Sequence, residues 1–305
     1  MRPYIQIARP DHWFKNIFVL PGTAIALLLY RIPLSDVALP LIFGLISTCL
    51  AASANYTINE YLDADFDRHH PTKMNRPTPS GLVKFEYVMF QYVFLTVAAL
   101  SIAWFLGTFF FITCTGFLSL GLAYNVSPIR TKDRVFFDVI SESANNPIRL
   151  VLGWSVVVDY AFPPTSVLMA FWFGGAFLMA VKRFAEFRQI GDPVVATKYR
   201  QSFGRYSETT LLLSAVFYAM NTAFFIAIFL IKYRIEFLIS FPLISLMFTW
   251  YLALGLQPDS VTQTPELLYR KKHFLAFIGL LIASLVFLFL IEIPALHVLM
   301  NVTGL

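Results

Sequence analysis

The chain has 305 residues, of which 58% are hydrophobic and only 13% are charged. Because soluble domains usually carry about 25% charged residues, this composition excludes an ordinary soluble protein and indicates a membrane protein. The formal net charge of +5 is less informative than the positions of the charged residues, and we expect no nucleic-acid partner.

Apolar runs long enough for a helix to cross a bilayer, which takes roughly 20 residues, occur nine times along the chain. They lie at about 16–35, 38–58, 86–106, 108–125, 137–158, 163–181, 210–231, 236–255 and 274–293. The first run is too long for a cleavable signal peptide. We therefore predict an all-α protein with nine transmembrane helices, forming a single membrane-embedded domain over residues 1–305.

The positions of Lys and Arg predict the orientation of these helices. Nineteen of the 23 such residues fall in the N-terminal segment and in the loops near 60–85, 126–136, 182–209 and 256–273. Loops rich in Lys and Arg face the cytoplasm. This distribution predicts an integral plasma-membrane protein with a cytoplasmic N-terminus, an external C-terminus and a polar active site on the cytoplasmic side.

Carboxylates crowd the stretch NEYLDADFDRHHPTKMNRP, residues 59–77, which follows the second predicted span. Asn59, Asp63 and Asp67 are spaced i, i+4, i+8 and would share one face if the helix continued beyond the membrane. Like charges at this spacing repel unless a cation lies between them. Mg²⁺ takes oxygen ligands and is usually shared with substrate phosphates, so the stretch predicts a metal–phosphate site. The alternative is a charged cap on a transmembrane helix.

A second polar group lies in residues 124–154, where Arg130 and Lys132 precede a predicted helix. That helix carries Asp138, Glu142, Asn145 or Asn146, and Arg149, at spacings near i, i+4, i+7 and i+11. Ionisable groups inside a span usually face a polar cavity. A structural ion-pair network between Asp138 and Arg149 is the alternative.

Two shorter groups are less specific. Lys182 and Glu186 are i, i+4 neighbours at the end of the sixth predicted span, and such helix-surface pairs are common. In ARPDHWFKN, residues 8–16, Trp13 and Lys15 resemble an interfacial anchor at the mouth of the first span.

Two of these motifs resemble those of the UbiA-type intramembrane prenyltransferase superfamily. Asn59-Glu60-x-x-Asp63-x-x-x-Asp67 is similar to its first aspartate-rich motif, with Glu60 in place of the usual Asp. The sequence YNVSPIRTK, residues 124–132, is similar to the motif in its loop after the fourth helix, with Asn125 in place of a usual Ser. The resemblance implies a UbiA-like helical bundle with a magnesium-dependent active site.

Within the superfamily, the chain most resembles the decaprenyl-phosphate phosphoribosyltransferases. The shared patterns are RPxxWxKN near the N-terminus, DRxHPTKxxRPxxxG from Asp67 to Gly81, KRxxE from Lys182 to Glu186, and the pair Pro265-Glu266. Ordinary prenyltransferases have a second aspartate-rich motif where this chain has Lys182 and Arg183. The stretch ESANNPIRLVLGW departs from the pattern expected on the fifth helix, although Arg149 and Gly153 remain.

This resemblance implies transfer of a 5-phosphoribosyl group from phosphoribosyl diphosphate to a polyprenyl phosphate lipid, a step in the supply of cell-wall precursors. Asn59, Asp63 and Asp67 are the expected Mg²⁺ ligands. The expected catalytic residues are Asp63, Asp67, Lys132, Asp138 and Glu186. The expected substrate-binding residues are Lys15, Asn59, Arg68, His70, Lys73, Tyr124, Arg130, Arg149, Lys182 and Arg183.

Two other functions are compatible with parts of the pattern. A prenyltransferase that moves a prenyl group from its diphosphate to an aromatic or lipid acceptor would use a similar metal site. A transporter would explain the charged residues Asp138, Glu142 and Arg149 inside a span. The charged groups, however, gather at one membrane face, and no matched pair of broken helices marks a transport site.

Overall fold

The structure is a computed structural model that describes residues 2–68 and 73–296. Within these ranges all regular secondary structure is helical, as predicted from the apolar runs. Its α-helices are α1 (Arg2–Ala8), α2 (Val19–Tyr30), α3 (Leu34–Leu62), α4 (Ala64–Asp67), α5 (Phe85–Leu106), α6 (Thr108–Asn125), α7 (Phe137–Ser143), α8 (Asn145–Ser155), α9 (Thr165–Ile190), α10 (Pro193–Tyr199), α11 (Glu208–Tyr233), α12 (Phe241–Gly255) and α13 (Lys272–Leu290).

Eight helical segments in the described ranges are long and apolar enough to cross a membrane. Their outward-facing side chains include large apolar groups, such as Phe90, Trp104 and Phe105, which are 72%, 68% and 88% exposed. Exposed apolar surface of this extent is stable when it faces lipid. The chain is therefore an integral membrane protein.

The predicted span 137–158 is divided into two short helices, α7 and α8, which meet at Ala144. Pro147 gives a physical reason for the break: it has no N–H to donate to the carbonyl of Ser143, and its ring crowds that carbonyl. Neither helix has the length of a membrane span, so the count of nine transmembrane helices stays a prediction.

Contacts divide the chain into two compact units. The first unit contains residues 1–163 and 192–206, and the second contains residues 164–191 and 207–305. The first therefore holds α1 to α8 and α10, and the second holds α9 and α11 to α13. The two units are described separately, and a single functional domain stays a prediction.

The core of the first unit lies where α3 packs against α5, α6 and α8. Small residues on α3, including Ala51 and Ala54, are fully buried in one apolar cluster with Phe110 and Phe117 of α6. Small side chains let helix backbones approach closely, which is the usual basis of helix packing in membranes. Inside this core, the Ser47 hydroxyl donates a hydrogen bond to a backbone carbonyl of α5 at 2.8 Å.

Helices α2 and α8 cross with their backbones in direct contact. A Cβ added to Gly22 would lie 1.9 Å from the carbonyl oxygen of Leu150, and one added to Gly153 would lie 1.8 Å from that of Val19. The Thr23 hydroxyl also donates to the carbonyl of Gly153 at 2.8 Å. Both glycines are therefore required for this close approach.

The second unit is built on α9 and α11, which pack along one another through aromatic side chains. Phe173 of α9 stacks on Phe225 of α11 with ring centres 5.8 Å apart. Phe177 of α9 contacts Phe248 of α12 at 4.9 Å. Offset and tilted aromatic pairs of this kind contribute beyond their buried area.

We expect Gly153→Ala to lower the thermal stability of the detergent-purified protein. Its new methyl group would collide with a backbone carbonyl that cannot rotate away, and overpacking of this kind typically destabilises by about 1–3 kcal/mol. The matched control is Gly116→Ala on α6, where an added Cβ has no neighbour within 4 Å. Equal melting temperatures for the two variants would contradict the close crossing of α2 and α8.

Candidate active site

The carboxylate of Asp63, at the C-terminal end of α3, accepts hydrogen bonds from α3 itself and from the loop that follows α6. Its Oδ1 accepts hydrogen bonds from Lys132 Nζ and, at 3.2 Å, from Arg130 Nη2. Its Oδ2 accepts from the amide nitrogen of Asn59 at 3.0 Å. The predicted residues Asn59, Asp63, Arg130 and Lys132 are thus in direct contact.

Asn125, the last residue of α6, connects the same groups from the other side. Its side-chain oxygen accepts from Asn59 Nδ2 at 2.5 Å and from Lys132 Nζ at 2.9 Å. Its backbone carbonyl accepts from Arg130 Nη1 at 2.9 Å. Arg130 also pairs with Asp133 at 2.7 Å, so this guanidinium is held by three groups.

Lys132 is buried, with 4% of its surface exposed. Burial lowers the pKa of its ammonium to about 8, an effect that the carboxylate of Asp63 opposes and the charge of Arg130 adds to. The ring of Tyr124 lies 5.9 Å from Nζ. A poorly solvated lysine held by one carboxylate and one amide oxygen is suited to bind an incoming anion.

Asp67 does not share the partners of Asp63. The helix is interrupted at Asp63, and Asp67 instead pairs with Arg76 at 2.7 Å. Glu60, which is also buried, lies 3.3 Å from the same Arg76 nitrogen. Burial raises the pKa of Asp67, whereas the charges of Arg76 and Lys73 lower it. The three residues predicted to ligate one metal therefore fall in two adjoining groups. Asn59 and Asp63 lie with Lys132, and Asp67 lies with Arg76.

Asp138 is completely buried in the first unit and is enclosed by the segment that follows α10. Its oxygens accept from the hydroxyls of Tyr206 at 2.7 Å and Ser202 at 3.1 Å, and Arg200 lies 3.7 Å away. The predicted alternative, an ion pair between Asp138 and Arg149, is wrong for this structure. The break at Ala144 separates the two helices, and Arg149 contacts Asn16 instead, at 2.9 Å.

Other predicted residues of the first unit lie around these groups. Tyr124 donates to Glu142 at 2.8 Å. Lys73 donates to the hydroxyl of Tyr199. Arg68 pairs with Asp65 at 3.1 Å, and both side chains are exposed. Lys15 lies 2.8 Å from a ring nitrogen of His12. His70 lies outside the described residues.

The predicted residues Lys182, Arg183 and Glu186 belong to α9 in the second unit. Arg183 and Glu186 are buried and form an ion pair at 2.9 Å. Lys182, one residue earlier on the helix, is half-buried. Their predicted roles in binding or catalysis stay predictions.

Sequence reasoning left three contributors out of the predicted site: Asn125, Arg76 and Glu60. Asn125 is uncharged, and nothing in its spacing indicates that it contacts Asn59. Arg76 lies in a loop, where no helical period relates it to Asp67. Glu60 was visible as part of the aspartate-rich motif, but it was assigned no role there.

The donor set is compatible with Mg²⁺. Asn59, Asp63 and Asp67 supply amide and carboxylate oxygens, and Mg²⁺ in such enzymes is commonly held by one or two carboxylates together with substrate phosphates. Among the residues that the structure describes, no three His, Cys, Asp or Glu side chains form a metal-binding cluster by themselves. Substrate oxygens would therefore have to complete the coordination shell.

Comparison with protein families defines the class of this protein. The family model described as the UbiA prenyltransferase family matches residues 18–278. The chain belongs to this family, and it is accordingly a membrane-embedded transferase of the UbiA type. The predicted membership of the UbiA superfamily is thereby confirmed.

The names of individual relatives specify a particular enzyme, whereas the family model names only the family. The chain is 32% identical over 209 residues to the decaprenyl-phosphate phosphoribosyltransferase of Mycolicibacterium smegmatis, a match that covers 68% of this chain and 63% of the relative. It is 30% identical over 208 residues to the enzyme of that name from Mycobacterium tuberculosis, covering 68% and 67%.

The fold is similar to that of a solved UbiA homologue from Archaeoglobus fulgidus bound to GPP and Mg²⁺. The TM-score is 0.68 at 20% sequence identity, and the match covers 95% of this chain and 100% of the other. At this level of identity the similarity establishes the fold alone.

We expect Asp138→Ala to destabilise the protein, because it leaves Arg200 and two hydroxyls without their buried acceptor. Removing one partner of a buried charged group typically costs about 3 kcal/mol or more. The matched control is Asp159→Ala, which removes an exposed carboxylate of the same unit. Thermal denaturation in detergent measures both. An unchanged melting temperature for Asp138→Ala would show that Asp138 is dispensable for folding.

Proposed function

We propose that this protein transfers the 5-phosphoribosyl group of phosphoribosyl diphosphate to a polyprenyl phosphate lipid and releases diphosphate, in a Mg²⁺-dependent reaction. The observation that carries transfer from a diphosphate donor is the convergence of Lys132 and Arg130 on Asp63 beside Asn59. The names of the relatives support the choice of substrates.

The donor has several negatively charged groups, a diphosphate and a separate phosphate, and its site needs cations in more than one place. Lys132 and Arg130 lie in one group, beside Asp63, and Arg76 and Lys73 lie in the other, beside Asp67. In the free protein, Lys132 and Arg130 are held by Asp63 and Arg76 is held by Asp67. These cations are expected to turn to phosphate oxygens when the donor binds, because charge-assisted hydrogen bonds to phosphate are strong.

The reaction breaks the bond between ribose C1 and the diphosphate oxygen, and the electron pair leaves with the diphosphate. Lys132 and Arg130 stabilise the charge that develops on this leaving group. An oxygen of the lipid phosphate then forms the new bond to C1. That oxygen is already ionised near neutral pH, so no strong general base is needed. Bound Mg²⁺, held by Asn59, Asp63 and Asp67, would supply further neutralisation of the diphosphate.

Asp138 acts in this proposal as a positioning residue. It is enclosed by Ser202 and Tyr206 and lies six residues beyond Lys132, so it holds the segment that carries the lysine. The resemblance of KRxxE to the phosphoribosyltransferases supports donor contacts by Lys182, Arg183 and Glu186. Because the donor is water-soluble and made inside cells, we place the site on the cytoplasmic side.

A second reaction is supported by the family itself. In it, a prenyl diphosphate would be the donor, and an aromatic compound or a lipid would be the acceptor. The same cations would stabilise the departing diphosphate, so the site around Asp63 favours neither donor. The Lys182–Glu186 sequence and the names of the relatives favour the phosphoribosyl donor.

We expect Asp63→Asn to reduce transfer at least about 100-fold, a typical effect of removing one electrostatic contact at a reacting centre. The measurement is transfer of labelled phosphoribosyl diphosphate into the lipid phase by detergent-purified protein with Mg²⁺ and polyprenyl phosphate. The matched control is Asp65→Asn, an exposed carboxylate of the same stretch, which is expected to keep activity within about twofold.

A parallel reaction with labelled prenyl diphosphate and 4-hydroxybenzoate distinguishes the two proposals. Label in lipid only with the first donor, abolished by EDTA, supports phosphoribosyl transfer. Product only in the parallel reaction identifies a prenyltransferase and contradicts the donor assignment. Full activity of Asp63→Asn would contradict the role of this carboxylate.

A further inference from the structure

Arg149 is the most unusual charged residue of the first unit. Only 7% of its surface is exposed. Its Nε donates to the side-chain oxygen of Asn16 at 2.9 Å, and the face of Phe117 lies 5.2 Å from its guanidinium carbon. Within the described ranges 2–68 and 73–296, no carboxylate lies at ion-pair distance from it.

A buried guanidinium without a counter-ion is energetically costly. In the same ranges, its terminal N–H groups form no hydrogen bond to the protein. These nitrogens are not among the polar side-chain atoms that are both closed off from solvent and without a hydrogen bond. They therefore retain some accessible surface. A site of this kind is complete only when an anion occupies it.

The fold holds Arg149 in this position. It lies on α8 one turn before Gly153, and Asn16 lies just before α2. The backbones of these two helices are in contact at Gly22 and Gly153. Asn16 is held in turn, since its amide nitrogen donates to Cys49 Sγ at 3.1 Å. The guanidinium is thus fixed by a rigid crossing of helices, as a binding residue needs to be.

Further cations lie on the neighbouring N-terminal segment. His12 is buried, and its two ring nitrogens lie 2.5 Å from Arg9 Nη2 and 2.8 Å from Lys15 Nζ. A neutral imidazole can accept at only one nitrogen, so positive groups are crowded here. Asp11 is 3.5 Å from the same ring but highly exposed. Tyr56 contacts Arg9 and His12.

We propose that Arg149 binds the phosphate of the polyprenyl phosphate acceptor, with Asn16 orienting it and Arg9 and Lys15 adding positive charge. This inference rests on the proposed function, which requires a second anionic substrate besides the donor. A lipid phosphate must be met by a cation that is itself surrounded by apolar side chains, because the prenyl chain stays in the membrane. Arg149, packed on Phe117 among transmembrane helices, meets that requirement. The donor site around Asp63 has a separate set of cations.

The test is a comparison of ligand binding by wild-type and Arg149→Gln protein in detergent. Three ligands are titrated by calorimetry: farnesyl phosphate, farnesol and phosphoribosyl diphosphate. We expect the variant to bind farnesyl phosphate at least about tenfold more weakly, which is the effect of losing one charge-assisted contact. Its affinities for farnesol and phosphoribosyl diphosphate should stay within about twofold. Arg31→Gln removes an exposed arginine at the far end of α2 and is the matched control.

Each other outcome has a definite meaning. Weaker binding of phosphoribosyl diphosphate, with unchanged farnesyl phosphate, would assign Arg149 to the donor and overturn the proposal. Equal binding of all ligands would overturn it as well. Inorganic phosphate as competitor separates recognition of a free anion from recognition of the lipid. If Arg149→Gln does not fold, Arg149→Lys keeps the charge but loses the planar fork, and it should still weaken farnesyl phosphate binding selectively.

These measurements do not depend on turnover. If the transfer assay fails while farnesyl phosphate binding still depends on Arg149, the acceptor site stands and the donor was wrong. If transfer succeeds but Arg149→Gln leaves the apparent affinity for polyprenyl phosphate unchanged, the proposed function stands and this inference is rejected.

Discussion

The polar end of the first unit depends on the carboxylate of Asp63. In an apolar chain each buried charge needs a partner, and Asp63 is the partner of both Lys132 and Arg130. Arg130 has a backbone φ of 27°, a value that residues other than glycine rarely adopt. Its three polar side-chain contacts, to Asp63, Asp133 and the carbonyl of Asn125, compensate for that strain. Polar contacts thus help to hold the loop between α6 and α7 in its shape.

Two carboxylates of the first unit, Asp138 and Asp63, are held in different ways, and the difference separates their roles. Asp138 is fully enclosed and is held chiefly by hydroxyl groups. These donors are neutral, so an anionic substrate does not attract them strongly. Asp63 keeps 23% of its side chain exposed, and its partners are cations that an anionic substrate attracts strongly. The first arrangement suits a permanent support and the second suits an exchange of partners during binding. Arg149 is a third case, in which the cation is fixed and the anion must come from outside the protein.

Much of this was predictable from the sequence. Composition and apolar runs predicted a helical membrane protein, and the motifs around Asn59 and Tyr124 predicted the family. The spacing of Asn59 and Asp63 predicted their contact because helical periodicity still applies there. The partner of Asp67 was not predictable, since Arg76 lies in a loop without any period. The break at Ala144 was missed because hydropathy is similar on both sides of it and Pro147 alone marks it.

Residues 192–206 belong to the first unit, although the chain on either side of them belongs to the second. They supply Ser202 and Tyr206, the partners of Asp138, from 64 and 68 residues further along the chain. At about 5–20 residues per second of synthesis, Asp138 leaves the ribosome on the order of several seconds before its partners exist. The intervening helix α9 must be inserted while this carboxylate still lacks its hydrogen-bond donors Ser202 and Tyr206. Biogenesis thus has a built-in order, in which the loop bearing Lys132 reaches its final form only after about two-thirds of the polypeptide has been made.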